Sequence, residues 1–277
     1  MTQERTVAVW QERVRLRVLS KGSGPALVFF HGPWGLTWDP FLDTLARDFT
    51  VHAPEHPGTT PGAPDDVYQL DGLWDLVLCY DELLDALGLE HAVLVGHSFG
   101  GMIACEVAAT SPRRAHRLVL IDPIGFWRDA DPVVNWMALE PAEMRRRIFR
   151  DPDGEAARRL FGDAVEHGGP ATQDPHTPID EKVAAAARVR LAWAMGATGK
   201  FIWPIPDKGL KKRIHRIKAP TLLLWGKEDR LVPPVYADEF TKRLPGARLQ
   251  TLDQAGHAPH LEQPETVARL VREFASP

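Results

Sequence analysis

The chain has 277 residues, of which 44% are hydrophobic and 25% are charged, a composition that excludes an intrinsically disordered protein. Its formal net charge of -4 at pH 7 provides no general attraction to nucleic acid or to an anionic membrane. No apolar run approaches the length of about 18 residues that a membrane-spanning helix requires. We therefore expect partners other than nucleic acids and membranes.

Cysteine content and the first residues bear on the cellular compartment. Cys79 and Cys105 are the only cysteines, too few for a disulfide framework. Residues 1–19 lack the apolar segment of a secretory signal. We therefore expect a cytoplasmic protein with reduced thiols.

Short aliphatic and β-branched runs recur along the chain and predict eight strands. Their continuous apolar character in the later runs is typical of strands that are covered by helices on both faces. Helical periodicity lies between them, for example over residues 73–87, where the pattern ends at Gly88. This alternation predicts an α/β fold with a mostly parallel sheet. The predicted strands cover residues 6–10, 14–19, 26–30, 50–53, 92–95, 117–121, 221–225 and 247–252.

The alternation is interrupted once, after the sixth predicted strand. Residues 125–217 have helical and loop-like patterns, and they contain Trp127, Trp136, Trp193 and Trp203. We predict a helical cap or lid over 125–217, inserted between a first core part (1–124) and a second (218–277). The tryptophans suit a structural core of the cap and the wall of an apolar pocket equally well, because one indole can serve both.

The segment AVLVGHSFGGMIACEVAA carries the strongest chemical signal. Its residues 96–100 form a G-x-S-x-G pattern directly after an apolar strand and directly before a helix. Small residues on either side allow a strained turn that exposes the Oγ of Ser98. The helix that follows directs the partial positive charge of its N-terminus at the site. This context predicts a nucleophile rather than a buried structural serine.

A serine hydroxyl becomes a nucleophile at neutral pH only with a base, and the base needs an orienting acid. Asp229 lies in the turn after the apolar segment TLLLWG, and His257 lies in a loop after the last predicted strand. Both positions are at carboxyl ends of strands, where open α/β sheets collect their ligands. Asp122, after the sixth strand, is an alternative acid, and His260 is an alternative base.

Six segments resemble the α/β-hydrolase family in their order and spacing: HGPWG, VHAPEHPG, GHSFGG, LVLIDP, WGKEDRLVP and AGHAPHLEQPE. The resemblance covers nearly the whole chain and implies the α/β-hydrolase fold, an eight-stranded sheet flanked by helices with a cap after the sixth strand. It implies Ser98 as nucleophile, with Asp229 preferred to Asp122 and His257 preferred to His260. It also implies that neither a metal nor a cofactor is needed. These motifs indicate the fold more strongly than the substrate.

One loop departs from the family pattern. In similar sequences the residue after His-Gly donates one backbone N–H to the oxyanion, and the residue after the nucleophile, here Phe99, donates the other. Pro33 stands in the first place and has no N–H. Because a missing donor costs about 2.7–4 kcal/mol of transition-state stabilisation, we expect a substitute. The candidates are the backbone N–H of Trp34, its indole N–H and the backbone N–H of Gly35; without a substitute the protein would be slow or inactive.

Serine at the elbow favours carboxylic esters, lactones or thioesters as substrates, since similar epoxide hydrolases and dehalogenases use aspartate there. We expect a hydrophobic substrate of medium size, because aromatic residues of the cap and of the loop after the third strand would form its pocket. These residues are Trp34, Trp38, Trp127, Trp136, Trp193, Phe201 and Trp203.

Three other activities fit the same motifs. One is a carbon–carbon bond hydrolase of vinylogous diketones, although similar sequences tend to have asparagine where His97 stands. Another is a perhydrolase or cofactor-free haloperoxidase, which uses the same three catalytic residues. The third is a ligand-binding protein that keeps the fold with little turnover. A homodimer is compatible with the sequence, which does not determine the oligomeric state.

Overall fold

The computed structural model describes residues 1–161 and 181–275, and these residues form the predicted eight-stranded sheet. Every strand begins and ends within three residues of its predicted bounds, so the strand predictions are confirmed. The strands are β1 (Gln3–Val9), β2 (Val14–Lys21), β3 (Ala26–Phe30), β4 (Thr50–Pro54), β5 (Ala92–His97), β6 (Ala115–Ile121), β7 (Thr221–Gly226) and β8 (Arg248–Leu252).

The strands lie in the order β1-β2-β4-β3-β5-β6-β7-β8. Only β2 runs antiparallel to its neighbours, β1 and β4, and every other neighbouring pair is parallel. This order confirms the prediction of a mostly parallel sheet. Because β3, β5, β6, β7 and β8 all end at the same edge, the loops that follow them come together there.

Helices cover both faces of the sheet. Two apolar layers result: α2, α3 and α7 pack into one of them, and α1 and α9 into the other. Along β5, Ala92 and Leu94 belong to the first layer, whereas Val93 and Val95 belong to the second, because successive side chains of a strand point to opposite faces. The helices are α1 (Pro40–Leu45), α2 (Leu73–Ala86), α3 (Phe99–Thr110), α4 (Pro141–Ile148), α5 (Glu155–Phe161), α6 (Glu181–Ile202), α7 (Val235–Arg243), α8 (Pro259–Glu262) and α9 (Pro264–Ala275).

The inserted segment between β6 and β7 is helical where the structure describes it. It contains α4, α5, α6 and short 3-10 turns, and none of its described residues lies in a strand. Trp136 and Phe201 from this segment are buried in the same apolar layer as α2 and α3. These aromatic side chains therefore stabilise the contact of the insertion with the sheet. The division into a core of residues 1–124 and 218–277 and a cap of residues 125–217 stays a prediction.

Asp39 begins α1 in a way that makes stability depend on pH. Its side chain accepts the N–H of Leu42 (2.9 Å), and burial raises its pKa to about 7. The unfolded chain ionises near pH 4, so the folded state loses stability as the pH rises from about 4 to 7 and loses no more above that.

We therefore expect Asp39→Asn, which keeps a good capping residue, to stabilise the fold at pH 8 and to have little effect at pH 4. A pKa unit corresponds to about 1.4 kcal/mol, so a gain of roughly 2–4 kcal/mol is expected at pH 8. Thermal unfolding at the two pH values measures it. Asp43→Asn is the control, because the pKa of Asp43 is lowered by Lys21 and its substitution should not stabilise the protein at pH 8. An equal gain at both pH values would contradict the prediction.

Candidate active site

Ser98 occupies a strained turn between β5 and α3. Its φ of 53° and ψ of -115° lie outside the regions that side-chain-bearing residues usually adopt. Two glycines make this turn sterically feasible: a Cβ on Gly96 would lie 2.3 Å from the backbone oxygen of Gly100, and one on Gly100 would lie 2.0 Å from that of Phe30. The flanking glycines of the G-x-S-x-G pattern are therefore required by close backbone approach.

The structure brings together the three side chains that the sequence singled out. Nε2 of His257 lies 2.9 Å from Oγ of Ser98, and Nδ1 of His257 lies 2.7 Å from Oδ2 of Asp229. The other carboxylate oxygen of Asp229 accepts the backbone N–H groups of Leu231 and Val232, both at 2.8 Å. The carboxylate is thus fixed on one side and orients the imidazole on the other, as a base acting on a serine requires.

The backbone of His257 is held by groups that the sequence did not reveal. Its N–H donates to the carbonyl of Ile148 at the end of α4 (2.7 Å), so the inserted segment contributes directly to the position of the His257 side chain. Its carbonyl accepts the Nε2–H of His97 (2.7 Å). Burial, and next the neighbouring His260, lower the pKa of His97 well below its usual range, and the ring is therefore neutral.

The two alternative residues take other positions. Asp122 is buried beside Asp229 rather than in hydrogen-bond contact with His257, and its Oδ1 accepts the N–H of Gly226 (3.0 Å). His260 is buried between Phe29, Phe41 and His97. Burial lowers the pKa of His260 to about 3, and within the described residues its Nδ1 has no hydrogen-bond partner.

The loop after β3 lies next to His257. Pro33 and Trp34 form a turn, followed by Gly35 with a φ of 90°. The indole of Trp34 is buried and stands edge-on to the His257 ring, with 5.9 Å between the ring centroids. Its Nε1–H has no acceptor within the described part of the chain. Phe99 is the first residue of α3, where a backbone N–H has no partner inside the helix.

A buried hydrogen-bond network of two histidines and a tyrosine supports the loop after β3. Nδ1–H of His31 donates to the carbonyl of Gly32 (2.7 Å), and Nε2–H of His56 donates to the carbonyl of His31 (2.9 Å). The hydroxyl of Tyr80 donates to Nδ1 of His56. Burial lowers the pKa of His31 to about 4 and holds the pKa of His56 well below its usual range, so both rings are neutral. In the sequence, His56 lies in the segment VHAPEHPG and Tyr80 lies in the helical pattern of residues 73–87, and neither pattern predicts the contact between them.

Tyr80→Phe tests this network. The change leaves Nδ1 of His56 buried without a donor, which typically costs about 1–3 kcal/mol of stability. We expect that loss and, because the loop then moves more freely, a decrease in kcat of about tenfold. Tyr236→Phe is the matched control, since the Tyr236 hydroxyl bonds Arg128 and Asp131 away from the site and should affect only stability. Equal kcat values for the two variants would refute a role of the network in the site.

The aromatic residues expected to line a pocket are spread over several places. Trp34 lies at His257, and the indole N–H of Trp193 in α6 donates to the carbonyl of Gly58 (2.7 Å) on the loop after β4. Trp38 donates to Asp43 and packs in the apolar layer of α1 and α9. Trp127, Trp136 and Trp203 line one small cavity of the inserted segment, and Phe201 is buried. Their role in binding a substrate stays a prediction.

Asp122, Asp229 and His257 also have the residue types of a metal site, with one potential ligand atom of each within 4.8 Å of the others. Both ring nitrogens of His257 already face hydrogen-bond partners, Asp229 and Ser98. A metal bound to either nitrogen would displace one of these partners. The donor set therefore suits hydrogen-bonded acid–base chemistry better than metal binding.

None of the described helices is long and apolar enough to cross a membrane.

Comparison with known proteins adds to this geometry. The model of the alpha/beta hydrolase family matches residues 27–270. The chain is 27% identical over 263 residues to a pimeloyl-[acyl-carrier protein] methyl ester esterase of Vibrio campbellii, covering 93% of this chain and 97% of that protein. It is 25% identical over 278 residues to a 2-hydroxy-6-oxo-6-phenylhexa-2,4-dienoate hydrolase of Burkholderia cepacia, covering 94% and 91%.

Among solved structures, the 2-hydroxy-6-oxo-6-phenylhexa-2,4-dienoate hydrolase of a Rhodococcus species matches with a TM-score of 0.75. The match covers 99% of both chains at 22% sequence identity. At this identity the likeness establishes a common fold and nothing about the substrate.

Proposed function

The chain belongs to the alpha/beta hydrolase family, and we propose that it hydrolyses a carboxylic ester or lactone of medium-sized, hydrophobic character through an acyl-enzyme on Ser98. The observation that carries the proposal is the continuous contact from Ser98 Oγ through His257 to Asp229, at 2.9 and 2.7 Å. A nucleophile, a base and an orienting acid within hydrogen-bond distance are the parts that acyl transfer to serine requires.

In the proposed mechanism, Nε2 of His257 takes the Oγ proton as Ser98 attacks the substrate carbonyl. Asp229 stabilises the imidazolium that forms. The oxyanion accepts hydrogen bonds from the N–H of Phe99 and from a donor of Trp34 or Gly35. His257 returns the proton to the leaving alcohol, and an acyl group remains on Ser98. A water molecule activated by His257 then cleaves the acyl-enzyme, and the carboxylic acid leaves.

Hydrophobic substrate character is supported by the surroundings of the loop after β3. Trp34 is buried, and its ring stands edge-on to the ring of His257. Two residues of α6 lie near the same region: the indole N–H of Trp193 donates to the carbonyl of Gly58, and the side chain of Ala194 lies beside Gly35. Apolar walls with few polar groups are typical of small-molecule sites. The relative from Vibrio campbellii is named for an ester substrate with a pimeloyl chain, which agrees with an acyl group of this character.

Hydrolysis of a carbon–carbon bond is the second candidate function. It is favoured by the relative from Burkholderia cepacia, whose name describes a dienoate hydrolase. Against it stands His97, which occupies a place where similar carbon–carbon hydrolases tend to have asparagine. Perhydrolase activity is a further alternative, and ligand binding without turnover is one outcome of the test below.

The test is hydrolysis of p-nitrophenyl esters from acetate to decanoate by the purified protein. We expect turnover with an optimum at medium chain length, since an apolar pocket gains binding energy with each buried methylene until it is filled. A flat or falling rate with chain length would contradict the hydrophobic pocket. Absence of turnover with every ester in a folded protein would transfer support to the dienoate substrates or to a binding role.

A further inference from the structure

A second buried carboxyl group lies behind the acid of the triad. Asp122 directly follows β6, its side chain is fully buried, and its φ of 42° is unusual for a residue with a side chain. Two residues of β7 hold it: its N–H donates to the carbonyl of Leu224 (3.0 Å), and its Oδ1 accepts the N–H of Gly226 (3.0 Å). The strand that leads to Asp229 thus also fixes Asp122.

The turn that carries Asp122 is connected to the nucleophile as well. The N–H of Ile124 donates to the carbonyl of Ser98 (3.2 Å), and the N–H of Ser98 donates to the carbonyl of Ile121 (2.9 Å). A backbone held in an unfavourable conformation persists only where its surroundings determine it. These bonds therefore maintain Asp122 in a defined position relative to the triad.

The second oxygen of Asp122 requires a proton. A carboxylate oxygen of Asp122, one of Asp229 and a ring nitrogen of His257 all lie within 4.8 Å of one another. Oδ2 of Asp122 is buried and faces no donor among the residues that the structure describes. An ionised Oδ2 would be unpaired beside the Asp229 carboxylate, which is costly in a buried place. Burial, and then the charge of Asp229, raise the pKa of Asp122 well above its usual range.

We propose that Asp122 is a positioning residue: a neutral carboxylic acid that donates its O–H to Asp229 and that can replace Asp229 as the partner of His257. In the unaltered protein Asp229 bears the single negative charge and Asp122 restrains its carboxylate. When Asp229 cannot ionise, the O–H of Asp122 dissociates, the proton passes to water, and the new carboxylate accepts the Nδ1–H of His257. One negative charge faces the imidazolium in both cases. The kinetic part of this inference rests on the proposed function.

A double-mutant cycle with Asp229→Asn and Asp122→Asn tests the proposal. Replacing the acid of a serine triad by its amide typically lowers kcat by about 10⁴-fold. Because Asp122 can replace Asp229, we expect Asp229→Asn to lower kcat by only about 10²-fold. Asp122→Asn alone should lower kcat by less than about tenfold. The double variant should lose about 10⁴-fold or more. The rate of Ser98 labelling by a fluorophosphonate should follow the same pattern, and it needs no knowledge of the substrate.

The low-field proton resonance of His257 Nδ1–H is a readout that does not depend on turnover. It should persist in Asp229→Asn, where Asp122 accepts this proton, and disappear in the double variant. Ester turnover that is absent while labelling and the resonance behave as described would count against the proposed function and leave this inference intact.

Two further variants separate this role from a structural one. The variant that combines Asp229→Asn with Asp122→Ser should have the same low kcat as the one that combines Asp229→Asn with Asp122→Asn, since a serine hydroxyl does not ionise at neutral pH. Glu106→Gln in the Asp229→Asn background is the matched control, because Glu106 is also a buried carboxylate but bonds Arg213 and is not among the charges that act on Asp122. Its effect on kcat should simply multiply that of Asp229→Asn. The proposal is overturned if Asp229→Asn alone is as slow as the double variant, or if the two aspartate substitutions multiply without coupling.

Discussion

Replacing Ser98 by alanine is expected to lower kcat for p-nitrophenyl ester hydrolysis by about 10⁶-fold, because the acyl group then has no oxygen to which it can bond. The kcat of His257→Ala should be lower by a similar factor, since Ser98 and His257 act as one unit through their 2.9 Å contact. Binding of the ester should persist in both variants, because neither substitution removes apolar surface around the acyl group.

Ser20→Ala is the matched control for this experiment. Oγ of Ser20 lies 3.0 Å from Nδ1 of His52, so it is also a serine–histidine pair. It bridges β2 and β4, far along the sheet from the elbow, and neither of its members was singled out by the sequence. We expect full activity in this variant. More than a few per cent of the original rate in Ser98→Ala would mean that another group is the nucleophile.

The second large effect is expected at Trp34. Its buried indole has no acceptor for the N–H among the described residues, and the ring stands next to His257, where a substrate oxygen could accept the N–H. With Pro33 unable to donate, we expect this N–H to bind the oxyanion. Trp34→Phe removes the indole N–H but keeps an aromatic ring and the backbone N–H, and it should lower kcat by about 10²–10³-fold with a smaller change in KM.

Two variants sharpen the Trp34 experiment. Trp225→Phe removes an indole N–H of β7 that is equally buried and unpaired among the described residues, and it should cost stability without a comparable loss of kcat. Pro33→Gly restores a backbone N–H at the position that the family uses, and in the Trp34→Phe background it should recover part of the lost rate. Full activity of Trp34→Phe alone would instead assign the donor to the backbone of Trp34 or Gly35.

The strands could be predicted because their side chains carry the information locally. β5 and β7 are buried along their whole lengths, and their continuous apolar runs are consequently visible in the sequence. The first and last residues of the strands were less certain, because pairing with neighbouring strands, and not the local apolar run, decides where a strand ends. β6 begins at Ala115, two residues before its apolar run, because Ala92 pairs with Ala115 across a register shift.

The choice between the two acids could not be made from the residues themselves. Asp122 and Asp229 both follow buried strands, and β6 and β7 are neighbours in the sheet. The family resemblance favoured Asp229. In the structure Asp229 faces His257 at 2.7 Å while Asp122 lies behind it. The direction of the backbone at the strand ends decides which of the two carboxyl groups reaches the imidazole. Strand propensity does not encode this direction.

By itself, the sequence determined the sheet, the elbow and the set of residues at its carboxyl edge, since these follow from periodicity and from glycine spacing. Only the tertiary structure decided how that set is supported. The bond from His257 to Ile148, the one from His97 to His257, and the contact of Tyr80 with His56 each join residues that are far apart in the chain. Hydrogen bonds between distant segments depend on how helices pack on the sheet, and a local pattern of residue types carries no record of that packing.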